Sequence, residues 1–563
     1  MKSFFTPYIY TLFLLLIFQS AFTQEIELKI VEKDSLNNSL FNLVEYQHLH
    51  SSENSLYAEV DSVKSKLHRI GYLNTQFDTI QKQDSIFIAH LILGENTKTI
   101  KIFFDSNSVD KNIIKKYTAN FTDSSFSLKI HDVSNLMRDL VQQFETDGKS
   151  FTEVSLKNIK KSNNELIAEL NINSTKSRTI DNVIIKAYEK FPQSFVRHRL
   201  NLKIGTVFNT EKLQKASDAI QAITFVSEIK SPEVLFTNDS TSIYLYLQKI
   251  KANRFDGLIG FATDEEGKLK FNGYLDLLLN NVLNKGETIS IQWKSNGDDR
   301  KLFDLAFTAP YIFKSPITFG VNFNLYKQDS TFLNIHTKIN LAYTLNQFSE
   351  IAGEFKSENS NDLDSGNTQN NIEGYKSTFF GTSYNYRKPD RDKPFQNKFY
   401  FNINALWGKR TLAKNTVKTN QQKYKLHTYY IWSLNQKSNI FIQSKSGLMI
   451  SGDLFSNELF RIGGANSIRG FDQESIFASA YSILNLEYRY HLAQRSYIYS
   501  ITDFAYIQND IINDNGQLFG FGLGYVFNTK SGAIDISYAL GKRSDFPVDF
   551  QNSKFHIRLL QYF

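Results

Sequence analysis

Leu484-Asn-Leu-Glu487-Tyr-Arg489-Tyr-His491-Leu492 puts Leu484, Leu486, Tyr488, Tyr490 and Leu492 at every second position, with Asn485, Glu487, Arg489 and His491 between them. In an extended chain successive side chains point to opposite faces, so this stretch reads as a strand with one apolar-aromatic face and one polar face. Such a strand suits a wall between lipid and a wet lumen. Just ahead of it lies Arg461-Ile-Gly-Gly-Ala-Asn-Ser-Ile-Arg-Gly-Phe471, a glycine-rich segment that ends on a cation.

The alternation recurs on both sides of this stretch. Phe319, Val321, Phe323 and Leu325 alternate with Gly320, Asn322 and Asn324. Phe399, Phe401, Ile403, Ala405 and Trp407 alternate with Tyr400, Asn402 and Asn404. Phe519, Phe521, Leu523, Tyr525 and Phe527 are spaced by Gly520, Gly522 and Gly524, and Ile534, Ile536, Tyr538 and Leu540 by Asp535, Ser537 and Ala539. From Arg254 to Phe563 roughly sixteen such segments follow one another, each near the 9–11 residues that a tilted membrane strand needs. The composition agrees: 48 Phe and 29 Tyr against 8 Pro favour strands over helices. Beyond the N-terminus no apolar run approaches the length of a membrane helix, so a spanning protein with this sequence must be a closed barrel. The polar tracts Ser357–Asn371 and Lys409–Gln422 read as long outer loops, the first as solvated linker rather than a calcium site.

The chain ends Phe555-His-Ile-Arg-Leu-Leu-Gln-Tyr-Phe563. Phe555, Ile557, Leu559 and Phe563 share one face, interrupted by Gln561. The last strand must meet the first to remove both edges, so these residues are the candidates for barrel closure.

The N-terminus differs in kind. Lys2 precedes an apolar run from Tyr8 to Phe18, followed by Gln-Ser-Ala-Phe-Thr-Gln24. This is the pattern of a cleavable targeting segment, residues 1–23, cut near Ala21 or Thr23. The 563 residues are too many for one core, and residues 24–97, 98–175 and 176–251 read as three repeats of one small α+β unit. In the first, Leu56, Val60, Val63, Leu67 and Ile70 form a helical stripe that Gly71 can end. Strands near Gln76–Thr79 and Ile86–Leu93 follow. The second opens with Thr99–Phe104, continues through a helix near Val133–Phe144 to Gly148, and closes with Thr152–Ile159 and Glu165–Ile172. In the third, Thr179–Lys186 precedes a helix carrying Leu213, Ala216, Ile220 and Ile223, with Asn209 or Thr210 as its cap. Free sheet edges in such units are places where an extended client segment can pair.

Several functions are excluded or given no support. With no Cys, disulfides, thiol chemistry and cysteine-bound lipid are absent. A net charge of +7 with scattered Lys gives no basis for nucleic-acid binding. There is no Gly-x-Ser-x-Gly, no Gly-x4-Gly-Lys and no His-Glu-x-x-His, and the ten His form no ligand cluster. No enzyme activity, cofactor or metal is therefore expected.

The motif Ile468-Arg469-Gly470-Phe471 makes the chain similar to the outer-membrane assembly and translocation superfamily that includes BamA, TamA and the two-partner secretion transporters. Members carry Val/Ile-Arg-Gly-Tyr/Phe in a loop folded back into the barrel, a Glu on the next strand's lumen face, matched by Glu487, and a Phe-x-Asp-x-Gly pattern on the strand after it. Here that pattern is Ile501-Thr-Asp503-Phe-Ala505, which keeps the acid and changes its flanks. The resemblance implies three small periplasmic α+β POTRA-like domains followed by a 16-stranded antiparallel transmembrane β-barrel, residues 252–563, with residues 451–478 as the inward-folded loop. It implies that Arg469, with its planar five-donor fork, is latched by Glu487 and Asp503, with Gly470 and Phe471 beside it and Gly463 and Gly464 giving the bend. It implies an outer-membrane location with the N-terminal domains in the periplasm. The implied work is protein assembly, insertion or translocation, with unfolded outer-membrane proteins as clients. Three front units are closest to a TamA-like arrangement, which implies a periplasm-spanning TamB-like partner and contact with outer-membrane lipid and lipopolysaccharide. The alternatives are a passive channel and a two-partner-secretion-type transporter.

Overall fold

The computed structural model describes residues 26–33, 44–162, 165–263, 269–296, 300–363, 371–390, 397–415, 417–493, 496–529, 532–544 and 553–561. The expected targeting segment, residues 1–23, and the terminal Phe563 lie outside them. The chain divides into two compact units at Arg178/Thr179.

The first unit holds two α+β domains. In the first domain the sheet order is Leu49–His50, Ile26–Glu32, Ile86–Ile92, Gln76–Gln83. Its helix, Glu53–Arg69, starts where the Ser52 hydroxyl accepts from the Ser55 amide and ends before Gly71, whose φ of +106° suits a glycine. Leu56, Val60, Val63 and Leu67 fall on one stripe and are buried against Leu28, Phe87 and Leu91. The second domain repeats the plan with order Ser125–Lys129, Thr99–Phe103, Glu165–Asn173, Glu153–Ser162 and helix Ile130–Thr146. The strand Ser125–Lys129 and the short helix Lys111–Lys115 have no counterpart in the sequence reading. Each is five residues long, too short to show a period.

The second unit joins the third α+β domain to the barrel. The domain's strands are Asn182–Lys186, Val226–Phe236 and Thr241–Lys249, with helices Gln193–His198 and Thr210–Gln221. Asn209 is the cap of the longer helix, accepting from the Lys212 amide at 2.9 Å. The domain seats directly on barrel turns. Tyr311 enters its core against Phe195, ring centroids 5.0 Å apart, and the Asn281 amide donates to the Tyr188 hydroxyl (2.7 Å). Gln347 donates to the Leu200 carbonyl and the His198 ring to the Lys314 carbonyl, each at 2.8 Å.

The barrel has sixteen strands: β1 Arg254–Thr263, β2 Leu269–Asn280, β3 Thr288–Asn296, β4 Arg300–Ala309, β5 Ile317–Gln328, β6 Phe332–Thr344, β7 Ser349–Asp362, β8 Tyr375–Pro389, β9 Asn397–Leu412, β10 Lys418–Ser433, β11 Ser438–Ser451, β12 Ala480–Ala493, β13 Ser496–Asn509, β14 Asp514–Thr529, β15 Gly532–Arg543 and β16 Lys554–Gln561. They are hydrogen-bonded in chain order, neighbours antiparallel. The alternation sorts as expected. Ile403, Trp407, Phe521 and Leu523 are exposed outward, while Asn322, Asn324, Asn402 and Asn404 line a lumen cavity. Among the described residues no helix is long and apolar enough to cross a membrane.

Two polar tracts differ from their reading as loops. Ser357–Asp362 continues β7 and pairs with β6, while residues 364–370 lie outside the described residues. Of Lys409–Gln422, Lys409–Leu412 belongs to β9 and Lys418–Gln422 to β10. Polar residues prolong these strands because their inward side chains find buried partners. Glu358 binds Lys423 at 2.7 Å, and Arg410 binds Glu458 at 2.5 Å. Polarity marked the lumen face there, not a turn.

Candidate functional site

The loop between β11 and β12 carries two short paired strands, Phe460–Ile462 and Ile476–Ala478. Between them the chain turns back on itself. Gly463 and Gly464 have φ of +113° and +93°, and an added Cβ at Gly463 would lie 2.3 Å from the Asp472 carbonyl oxygen. Only glycine meets both the dihedral and the approach. The Ser467 hydroxyl accepts from the Gly463 amide (2.7 Å), and Asn485 on β12 donates to the Ser467 carbonyl (2.9 Å). Lys445 on β11 donates to the Asn466 carbonyl (2.6 Å).

This turn delivers Arg469 to the wall. Its Nε donates to Asp503 Oδ2 at 2.8 Å and its Nη2 to Oδ1 at 2.5 Å, a bidentate fork, while its own amide donates to Oδ2 at 2.9 Å. Nη1 donates to Glu487 Oε1. Arg489, two positions from Glu487 on the same strand face, donates Nε to Glu487 Oε2 at 2.8 Å and packs 4.0 Å from the Phe441 ring. Arg469, Glu487 and Asp503 are 6%, 7% and 1% exposed. With two cations and two carboxylates the cluster is neutral, which makes its withdrawal from water tolerable.

Behind the arginine the loop backbone lies on glycine. An added Cβ at Gly520 on β14 would lie 2.4 Å from the Arg469 carbonyl oxygen. One at Gly470 (φ +91°) would lie 2.3 Å from the Gly541 amide on β15, and the Phe471 ring flanks that same Gly541. The alternating glycines of β14 form a groove that admits the loop backbone and side chains. At Gly524 the Tyr499 ring occupies the Cβ position, and its hydroxyl donates to Asp535 (2.8 Å), which also holds Arg558 of β16 (2.6 Å).

Arg469, Glu487 and Asp503 are thus brought together, and Gly463, Gly464, Gly470 and Phe471 sit where the motif implied. The closure residues stand differently. Phe555 and Ile557 face outward, 62% and 60% exposed, and pair with β15 at Tyr538 and Ile536. Leu559 pairs with Ile534, its side chain lies outside the described residues, and so does all of Phe563. Strands β1 and β16 come into contact, but no backbone ladder joins them among the described residues. Arg489 was missed as a member of the cluster, although its i,i+2 spacing from Glu487 was a readable signal. Asn485, Lys445 and Gly541 act through tertiary contacts that no local spacing announces. Among the described residues no cluster of His, Asp or Glu is arranged to hold a metal ion.

Three α+β domains, a sixteen-stranded barrel and a loop bound back to two lumen-facing acids define a barrel of the assembly and translocation class. Residues 281–558, most of the barrel, match the Omp85 superfamily domain, so the chain carries a domain of that superfamily. Its proteins are outer-membrane β-barrels with periplasmic POTRA domains that serve outer-membrane protein assembly or translocation. No curated protein sequence matches the chain. Among solved structures, CdiB from Escherichia coli is similar at 12% identity and a TM-score of 0.52, over 91% of this chain and 97% of that one. CdiB from Acinetobacter baumannii is similar at 12% identity and 0.52, over 80% and 86%. BamA from Haemophilus ducreyi lacking POTRA domains 1–3 gives 14% identity and 0.42, over 77% and 92%. The two CdiB likenesses speak for the fold alone.

Proposed function

We propose that this protein inserts or translocates other outer-membrane proteins by opening its barrel between β1 and β16, with its front domains guiding the clients. The observation that carries this reading is the seam. Every other neighbouring pair of strands is laddered, whereas β1 and β16 touch without a ladder among the described residues. Such an edge can template a client strand through backbone hydrogen bonds. The edge strands of the front sheets, such as Gln76–Gln83 and Glu153–Ser162, which pair on one side only among the described residues, offer the same pairing to an extended chain. The bound Arg469 acts as a latch that keeps the loop tip seated beside this seam. No covalent chemistry enters the reading.

Three front domains favour a TamA-like role, with a TamB-like periplasm-spanning partner and contacts with lipid and lipopolysaccharide. Depletion of the protein followed by a census of outer-membrane proteins tests this. Selective loss of a few barrels is the expected result. An unchanged census together with altered solute permeability would overturn it in favour of a passive channel, and loss of a single secreted protein would favour a secretion transporter.

A further inference from the structure

The loop is held at a second place, on a different part of the wall. Arg410 on β9 and Glu458, in the 3-10 turn Ser456–Glu458, form an ion pair at 2.5 Å in which both side chains are 0% exposed. Arg410 Nη1 also donates to the Asp453 carbonyl (3.0 Å), and its guanidinium lies 4.5 Å from the Phe455 ring. Glu458 accepts in addition from Gln421 Nε2 on β10 (2.8 Å) and from the Phe455 amide (3.1 Å). Beside it, Asn457 donates to the Ser360 hydroxyl on β7 (2.7 Å), and its carbonyl accepts from Asn334 on β6 (2.7 Å). The Arg469 end is held instead by β12 and β13. Between the two ends, Ile462 and Ile468 cover Ile483, Ala505, Ile507 and Leu518, and the Arg461 guanidinium lies 3.5 Å from the Tyr326 ring.

We propose that Arg410 and Glu458 are a positioning pair for the loop, which is a brace strung across the lumen rather than a flap held at one point. A buried pair contributes little net stability over apolar packing, but it admits one geometry, because a displaced partner leaves a bare charge in a dry site. Glu458 and Arg469 are separated by a short stretch of chain. Fixing the first therefore confines where the second can go and raises its effective concentration at Glu487 and Asp503. The proposal concerns the seat of the loop and does not depend on the assembly function.

The chain has no Cys, so a single reporter can be introduced. Ala505 is 0% exposed beneath the loop. In Ala505→Cys protein folded in vesicles, a water-soluble maleimide should label slowly. Glu458→Gln, which keeps the shape and removes the charge, and Arg410→Met should each speed labelling by about tenfold or more. Arg410→Lys, which keeps the charge but not the fork, should lie between the parent and Arg410→Met. Heat-dependent gel migration of the closed barrel identifies any variant that has not folded, and Glu458→Gln carries the test if Arg410→Met fails. Labelling within about twofold of the parent in folded Glu458→Gln overturns the proposal.

Discussion

The wall from β12 to β15 and the seam between β16 and β1 are made of the same kind of strand, yet they are held by different means. In the wall, β12 and β13 pair from Ala480–Gln508 onward, β13 and β14 from Tyr497–Val526 to Asn509–Asp514, and the loop lies across all four strands through Arg469, Gly520 and Gly541. At the seam, β16 ladders with β15 from Ala539–Lys554 to Gly532–Gln561 and has no ladder to β1 among the described residues. Antiparallel ladders and a buried ionic cluster hold one region; across β1 and β16, one strand away, neither is present among the described residues. The proposed opening between β1 and β16 draws on this contrast, because an opening force travels to the weakest joint.

The largest effect should come from removing the freedom of the seam. Cysteine pairs introduced between residues 255–261 of β1 and 555–561 of β16 are to be compared with pairs across β13 and β14, such as Ile498 with Tyr525. Oxidation at the seam should abolish assembly of client barrels in reconstituted vesicles, and reduction should restore it. Oxidation across the wall should leave assembly unchanged. Equal activity in both oxidised forms would remove the distinction between the two regions.

Next in size is Arg469→Ala. It leaves Asp503 buried without a bidentate partner and Glu487 with Arg489 alone, a loss on the order of 3–5 kcal/mol from the loop's seat. Folded barrel should still accumulate, because the β12–β13 ladder is independent of the loop, while assembly by matched amounts of protein should fall severely. Arg469→Lys should be intermediate, since an ammonium replaces the charge but not the fork that grips Asp503. Wild-type assembly by Arg469→Ala would defeat the latch.

Gly470→Ala should weaken the seat by about 1–3 kcal/mol, through a φ of +91° that alanine resists and a Cβ driven to 2.3 Å of the Gly541 amide. Gly541→Ala meets the same contact from the other side, 2.4 Å from the Gly470 carbonyl oxygen. If backbone approach is the cause, the two substitutions together should cost less than the sum of each alone. Protease sensitivity of the loop in folded protein measures this.

The contrast also explains how much could be read in advance. Period-two alternation is a local property, so the barrel, its faces and the strand bearing Glu487 were legible residue by residue, whereas Asp503 and the latch on Arg469 were supplied by the resemblance of the motif. The front domains were legible through helical stripes such as Leu56, Val60, Val63 and Leu67. What alternation could not supply is partnership across the lumen. Arg410 and Glu458 are far apart in sequence and sit in polar stretches, so a buried pair looked like solvated loop. The meeting of the last strand with the first was legible, but not how well they pair: Phe555 and Ile557 alternate as well as any wall residues, and nothing in a strand's own pattern says whether its outer edge is paired.

The smallest effect concerns a direct tie between loop tip and seam strand. Lys554 at the start of β16 pairs with Asp472, next to the motif, at 2.8 Å, but the two side chains are 26% and 70% exposed. Solvent screens such a pair to about 0.2–1 kcal/mol, and salt weakens it further. Asp472→Asn should therefore leave the loop seated and the barrel folded. If this contact steadies β16, the variant should form the β1–β16 disulfides faster by a small factor, and raising the ionic strength should bring the parent towards the variant. A variant whose cross-linking matches the parent at low and high salt alike would place the steadying of β16 in Asp535 and Arg558 instead, a pair 2.6 Å apart whose acid is only 15% exposed.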